Sequence, residues 1–252
     1  MKQQTSQPKV RTRMYGVTHV GKVRANNQDS IYYDSHQGLG IVCDGIGGHS
    51  SGEIASSLAV ASLKSAFFDP TNDRTKRTHI ILSGIEDAHQ HILRYSKSFP
   101  KTSGMGTTLN LIWIGVEDVF IANVGDSRTY LYRNERLWQV TQDQNVGHMV
   151  AQGQIPQDYP QTSDKAIVSA LGLSMVLKPE VLIRKKDPKD LYITATDGLF
   201  DLLSYQEIKT TILQNGENRR DLPGQLAQKA IHAGGRDNVT ILASYFSSES
   251  IS

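Results

Sequence analysis

Cysteine is almost absent from this chain: one residue of 252, Cys43, carries a thiol. No intramolecular disulfide can form, which fits a reducing compartment and equally a secreted chain that needs no disulfides. Long apolar runs are missing too, and every apolar stretch falls far short of the length that crosses a bilayer. Neither charge predominates. With 27 Lys and Arg against 25 Asp and Glu, the formal charge is +2, and the basic residues form no single long run, so composition gives no reason to expect nucleic-acid binding. The opening stretch "MKQQTSQPKVRTRM" has no apolar core and does not read as a secretory signal. No Cys/His cluster with zinc spacing occurs, and no internal repeat or low-complexity linker divides the chain.

What is present reads as one globular domain, with a hydrophobic fraction of 38%. A disordered tail is expected over residues 1–12 and a single domain over 13–247. "YGVTHVGKVRANNQDSIYYD" reads as strand, loop and strand, and "GLGIVCD" as a buried strand. "GEIASSLAVASLKSAFF" has helical apolar spacing at Ile54, Leu58, Ala61 and Ser65, with Leu63 and Phe67 beside them, and "RTHIILSGIEDAHQHILRYSKS" reads as a second helix. β-rich runs follow, among them "TTLNLIWIGV", "DVFIANVG", "SRTYLYR" and "RLWQVT". Residues 145–165 are polar, with Gly153, Pro156 and Pro160, and read as a flap outside the core. Two strands, two helices around "SYQEIKTTILQ" and "LPGQLAQKAIHA", and a last strand "NVTILASYF" close the chain. Antiparallel-looking strand groups with paired helices predict an α+β fold: two antiparallel sheets packed as a β-sandwich, with pairs of α-helices outside. Trp113 and Trp138 are expected in the sandwich core or at its edge, and "KTSGMGTT" as a tight turn, since it lacks the lysine and spacing of a phosphate-binding loop.

Four aspartates sit in unusual settings. Asp44 follows "GIVC", Asp197 follows "LYITAT", Asp126 follows "VFIANVG", and Asp237 precedes "NVTILA". Each is next to or near glycine, which lets backbone approach closely. One Asp-Gly is an ordinary turn signal. Four at strand ends, if the ends converge, need cations, and hard oxygen donors suit Mg²⁺ or Mn²⁺. A pair of such ions activates a water and clamps an in-line displacement at phosphorus. Arg24, in "GKVRANNQD" just before Asp29, offers a guanidinium fork for two phosphate oxygens, although a surface-loop arginine is the simpler reading of that residue alone. His49 is read evenly as a proton donor to a leaving group or as a locally bonded loop histidine. Cys43 reads as a small buried apolar residue beside the site.

Taken together, "GKVRANNQDS", "IVCDGIGGHSSGEIAS", "GMGTTL", "ANVGDSRTYLYR", "LWQVTQDQN", "SALG", "TATDGLFDLLS" and "GGRDNVTILA" resemble the PP2C (PPM) family of metal-dependent protein serine/threonine phosphatases in its compact bacterial form. They follow the family's order from residue 16 to 246. The resemblance implies a central β-sandwich flanked by helix pairs. It implies hydrolysis of phosphoserine and phosphothreonine by direct attack of a metal-bridging hydroxide, with no phosphoenzyme. Asp44 would bridge two tightly bound Mn²⁺ or Mg²⁺ ions, with the Gly45 carbonyl on one and Asp197 and Asp237 on the other. Asp126 with Asp197 would hold a third, weaker ion, Arg24 would bind phosphate, and Asp29 and Asn238 would support the site.

Three positions depart from the pattern. Ile46 stands where eukaryotic relatives carry a histidine, so the leaving group's proton would come from a metal-bound water or from His49. Gln28 replaces an acidic residue, and Gln144 stands where many bacterial members have histidine, which bears on substrate preference. The partners implied are phosphoproteins, the substrates of an opposing serine/threonine kinase, with no nucleic acid or membrane; a cytoplasmic monomer is expected. Two other readings stay open: a degenerate member that binds phosphoproteins without turning them over, and a hydrolase of small phosphate metabolites.

Overall fold

The structure, a computed structural model, describes residues 10–47, 51–67, 73–154, 163–173, 177–216 and 219–248. In chain order its strands are β1 (Val10–His19), β2 (Ser30–Asp34), β3 (Leu39–Cys43), β4 (Gly45–Ile46), β5 (Gly106–Thr107), β6 (Leu109–Ile114), β7 (Asp118–Val124), β8 (Arg128–Arg133), β9 (Arg136–Gln139), β10 (Glu180–Lys185), β11 (Leu191–Ala195) and β12 (Val239–Ser248). The helices are α1 (Ser51–Ala66), α2 (Arg74–Ser98), α3 (Val146–Ala151), α4 (Asp197–Phe200), α5 (Tyr205–Asn215) and α6 (Leu222–His232). Among the described residues none is long and apolar enough to cross a membrane.

Two five-stranded sheets form, in the orders β1-β12-β11-β8-β9 and β10-β7-β6-β3-β2, and every pairing is antiparallel. Side chains alternate along each strand, so each sheet serves two layers. Leu39, Ile41 and Cys43 of β3, with Leu109, Leu111 and Trp113 of β6, pack outward with Ala55, Ala59 and Leu63 of α1 and Ile81, Ile85 and Ile92 of α2. Ile193 of β11 and Ile241 of β12 pack outward with Ile208 and Ile212 of α5 and Leu226 of α6. The expected sandwich with helices on both outer faces is therefore present.

Between the sheets the interior is divided along its length. One end is apolar: Met14, Ile114, Val119, Tyr192, Leu242 and Phe246 pack there. The other end is polar and closed by side-chain hydrogen bonds, because buried polar groups are costly unless paired. Thr129 donates to Asn110 Oδ1 (2.5 Å) and shares a bond with Thr194 (3.0 Å), Asn110 donates to Asn123 (3.1 Å), and Thr108 bonds Ser127 (2.8 Å). The candidate carboxylates lie on this polar end.

Four details differ from the sequence reading. Strand β1 begins at Val10, inside the stretch expected to be a tail; residues 1–9 lie outside the described residues. The buried face of α1 is Gly52, Ala55, Ser56, Ala59 and Leu63, whereas Ala61 and Ser65 are exposed and Ile54 and Leu58 half-buried. Small residues are needed on the inner face because α1 lies close to the backbone of β4: a side chain at Gly52 would collide with the Gly45 carbonyl group. The flap region contains a helix, α3, whose N-cap Asn145 accepts from the His148 amide (3.0 Å); Pro156 and Pro160 lie outside the described residues. Trp113 is buried, but on the helix-facing side of its sheet, whereas Trp138, 43% exposed on edge strand β9, lies at the edge as expected.

Candidate active site

Strand β3 is buried along its whole length and runs directly into Asp44. The Asp44 peptide is clamped from both sides. Its N–H donates to Thr108 Oγ1 (2.9 Å), and its carbonyl accepts from the Thr108 amide (2.8 Å) and from Thr107 Oγ1 (2.8 Å). Gly45 follows, with its amide on the Gln28 carbonyl (3.2 Å) and no room for a side chain against the carbonyls of Gly52 and Gln28. Gly45 is thus explained by close backbone packing between the end of β3 and the first turn of α1; Gly48 lies outside the described residues.

The other carboxylates come from three further places. Asp29 precedes β2, is nearly fully buried, and accepts from Thr196 Oγ1 (3.0 Å) through Oδ2, while Oδ1 has no partner. Asp197 opens helix α4 rather than ending strand β11, and its Oδ1 is likewise buried and unpartnered. Gly198 behind it packs on the Asn238 carbonyl too closely for a side chain. Asp237 accepts from Arg24 Nη2 (2.7 Å) and from the Asn238 amide (2.8 Å). Asn238 in turn donates to the carbonyls of Val20 (2.9 Å) and Asn26 (3.0 Å) and accepts from the Gln28 amide (2.8 Å), so it ties the Arg24 loop to β12. Asp126 sits in the turn between β7 and β8, after Gly125, whose φ of +99° an L side chain rarely adopts.

Burial and mutual repulsion act together on this set. Burial, reinforced by Asp29, Asp197, Asp126 and Asp237, pushes the Asp44 carboxyl well above the usual range. Burial raises Asp29 to about 7, with Asp237 adding to it and the Thr240 and Thr196 hydrogen bonds opposing. Asp197 rises to about 7 through burial and then Asp126, Asp237, Asp201 and Asp29. Asp126 rises to about 6 through burial and Asp143, opposed by Arg128 and Asn145. Like charges gathered at one buried end resist ionisation unless a cation joins them.

Among the described residues no three His, Cys, Asp or Glu side chains are drawn together tightly enough to form a metal cage by themselves. The donor set fits an ion that takes one or two protein carboxylates and keeps several waters, the habit of Mg²⁺ and of Mn²⁺ in oxygen sites. The unpartnered oxygens of Asp29 and Asp197 are the direct structural sign that a cationic or hydrogen-bonding group completes the site.

The structure thus brings Asp29, Asp44, Asp126, Asp197 and Asp237 into electrostatic contact and sets Arg24, Gly45 and Asn238 against them. His49 lies outside the described residues. Cys43 is fully buried with its thiol pushed up by burial, which leaves it a packing residue. Sequence reasoning gave no such role to four participants. Thr107 and Thr108 clamp Asp44; their adjacency in "GMGTT" was the available signal. Gln144 braces the Asp126 turn: its side-chain Oε1 accepts from the Gly125 amide (3.0 Å), and its own amide donates to the Gly125 carbonyl (3.0 Å). Lys165 pairs with Asp201, at the C-terminal end of α4, and feels Asp197 and Asp126.

Comparison with known proteins agrees with this architecture. The family model described as protein phosphatase 2C matches residues 16–227. The serine/threonine phosphatase stp of Listeria monocytogenes is 30% identical over 233 residues, covering 89% of this chain and 92% of that protein. The crystal structure of the Mycobacterium tuberculosis serine/threonine phosphatase PstP superposes with a TM-score of 0.83 at 29% identity, covering 93% of this chain and 98% of that one. A PstP catalytic domain in complex with two manganese ions superposes with a TM-score of 0.82 at 30% identity, covering 94% and 99%. The chain belongs to the protein phosphatase 2C family, and the enzyme class that goes with it is that of the serine/threonine protein phosphatases.

Proposed function

We propose that the chain hydrolyses phosphoserine and phosphothreonine in proteins with the help of two divalent ions, Mn²⁺ or Mg²⁺, held by Asp44, the Gly45 carbonyl, Asp197 and Asp237. Asp126, with Asp197, holds a third ion more weakly. The single observation behind this reading is the set of crowded, buried carboxylates with raised pKa values, of which Asp29 and Asp197 each keep one oxygen without a partner. When bound, such ions supply an acidified water and neutralise charge on the phosphoryl oxygens, so no covalent phosphoenzyme is required.

The chain's own groups have distinct tasks. The Thr107–Thr108 clamp fixes the Asp44 backbone, so its carboxylate is presented without reorganisation. Arg24 is about half exposed and held by one ion pair to Asp237; exposed pairs of this kind are weak, so the fork is free to transfer to a substrate phosphate. Asn238 holds the Arg24 loop beside Asp237, and Asp29 adds negative charge next to Asp44. With Ile46 where eukaryotic relatives have histidine, the proton for the leaving alkoxide would come from a water on a bound ion or from His49. The substrates we envisage are those of an opposing serine/threonine kinase, met by a cytoplasmic monomer.

Hydrolysis of a phosphothreonine peptide and of p-nitrophenyl phosphate with Mn²⁺, with Mg²⁺ and with EDTA tests the reading. Activity restored by either ion and abolished by EDTA is expected; no activity with any ion would overturn it. Arg24→Ala should lower kcat/KM about ten- to a few hundred-fold, since each charge-assisted hydrogen bond is worth roughly 1.5–3 kcal/mol, while Mn²⁺ affinity is kept. Unchanged kinetics would remove Arg24 from the site.

A further inference from the structure

Beneath the flap lies a cavity of about 210 Å³ that the phosphatase reading leaves unused. Its walls include Gln142 and Gln144 from the turn after β9, His148 and Met149 from α3, Val168 from the stretch 163–173, and Glu180 at the start of β10. Met149 and Val168 give it an apolar flank. Asp143 in the same wall is already held by Arg128 (2.6 Å), and Ser169 by the Lys178 amide (3.1 Å). His148 differs from them: its Nε2 is buried and has no hydrogen-bond partner. A buried polar nitrogen left unpaired is costly and rare in a folded protein.

The cavity is also wired to the active site. Gln144, one of its wall residues, accepts from the Gly125 amide (3.0 Å) and donates through Nε2 to the Lys178 carbonyl (2.8 Å). Gly125 immediately precedes Asp126. A group that enters the cavity meets one of the side chains that hold the Asp126 turn in place.

We propose that this cavity binds a phenol-type group, an apolar ring carrying one hydroxyl, and that its occupancy is felt at Asp126 through Gln144. Size, polarity and the unpaired nitrogen all lead to this class. An enclosed dry cavity of about 150 Å³ accepts a benzene ring; the space here is larger and open on one side, with Lys178 and Glu180 in its wall, so it has room for a ring whose polar substituent stays near polar groups. The ring lies on Met149 and Val168. The hydroxyl reaches Nε2 and satisfies it in either imidazole tautomer, because a hydroxyl both donates and accepts. The group comes either from a free small molecule or from a tyrosine flanking the phosphoresidue of a substrate. The site itself is independent of the metal assignment; the coupling rests on Asp126 holding an ion.

The test uses the full chain with ¹³C-methyl methionine, metal-free, titrated with 4-ethylphenol and with ethylbenzene. The Met149 methyl resonance should shift saturably, and the phenol should bind about tenfold more tightly, the worth of one buried hydrogen bond. His148→Leu should erase that preference. Equal binding of the two rings by the unaltered chain, or no saturable shift, overturns the site, whether or not the variant folds. For the coupling, calorimetric Mn²⁺ titration with and without saturating 4-ethylphenol should differ in the weakest binding step for the unaltered chain and agree for Gln144→Ala. Identical titrations of the unaltered chain overturn the coupling while leaving the site and the two tight ions standing. A Met149 shift produced by a tyrosine-flanked phosphothreonine peptide, and absent with its phenylalanine twin, supports the site and identifies the substrate side chain as its occupant. The same shift with free phenol alone supports it with a small effector as occupant.

Discussion

Asp44 and Asp126 stand at strand ends on the same polar end of the sandwich, yet they are held in opposite ways. Asp44 is fixed through its backbone, by three hydrogen bonds from Thr107 and Thr108, between a fully buried strand and a helix packed too closely for any side chain at Gly45. Asp126 is fixed through a turn with positive φ at Gly125, and side chains brace that turn: Gln144, at the base of the flap, accepts from the Gly125 amide, and Asn123 donates to the Gly125 carbonyl (3.2 Å). A backbone clamp inside a core moves only if the core moves. A side-chain brace beside a cavity can shift by a rotamer change. The rigid setting suits a tight bridging carboxylate and the adjustable setting a weak, exchangeable one.

Breaking the rigid side should have the largest effect. Asp44→Asn removes the proposed bridge, so both tight ions should weaken together in a Mn²⁺ titration and turnover should vanish. Two tight sites surviving in that variant would show that Asp44 is not the bridge. On the adjustable side, Asp126→Ala should keep the two tight ions, lose the weak one, and lower turnover strongly. If Asp126 only shapes its turn, the variant would instead melt earlier and turn over normally per folded molecule, so melting temperature and turnover must be measured together at high Mn²⁺. The smallest effect is expected from the clamp itself. Thr108→Val leaves the Asp44 N–H and Ser127 hydroxyl without their partner and should cost about 1–3 kcal/mol in urea unfolding, with Mn²⁺ affinity reduced and not abolished. A variant as stable as the unaltered chain would mean that the clamp does not hold Asp44.

Much of this site was legible in the sequence because its parts are short-range. An apolar strand that runs into Asp-Gly can be read from a few residues, and Asp44 and Asp197 carry that mark, while Asp126 after a Gly and Asp237 before a strand carry weaker forms of it. That the four ends meet is a tertiary fact, which their order along the chain suggested only through the family resemblance. The inner face of α1 was misread because period alone favours the larger apolar residues Ile54 and Leu58, whereas the close approach of β4 demands Gly52, Ala55 and Ala59. Helix α3 was missed because six residues containing a glycine give little periodic signal, although the Asn145 cap was present. Gln144 had been noted as a departure from the family pattern, but its brace on Gly125 depends on two turns meeting that lie 19 residues apart in sequence.

The central claim, that a raised and crowded carboxylate set exists to take divalent ions, has one direct test. Burial holds Asp29 and Asp197 near 7 and Asp126 near 6, above the value of about 3.9 in an unfolded chain. The folded, metal-free protein therefore binds protons more tightly than the unfolded one. The stability this contributes is complete below about pH 4 and is lost as pH rises through 6 to 7. Ions that occupy the same oxygens must displace those protons. Calorimetric Mn²⁺ titration at pH 6, in buffers of differing ionisation enthalpy, should show release of on the order of one proton or more per chain, shrinking toward none by about pH 9. Tight Mn²⁺ binding with no proton release at pH 6 would contradict the account.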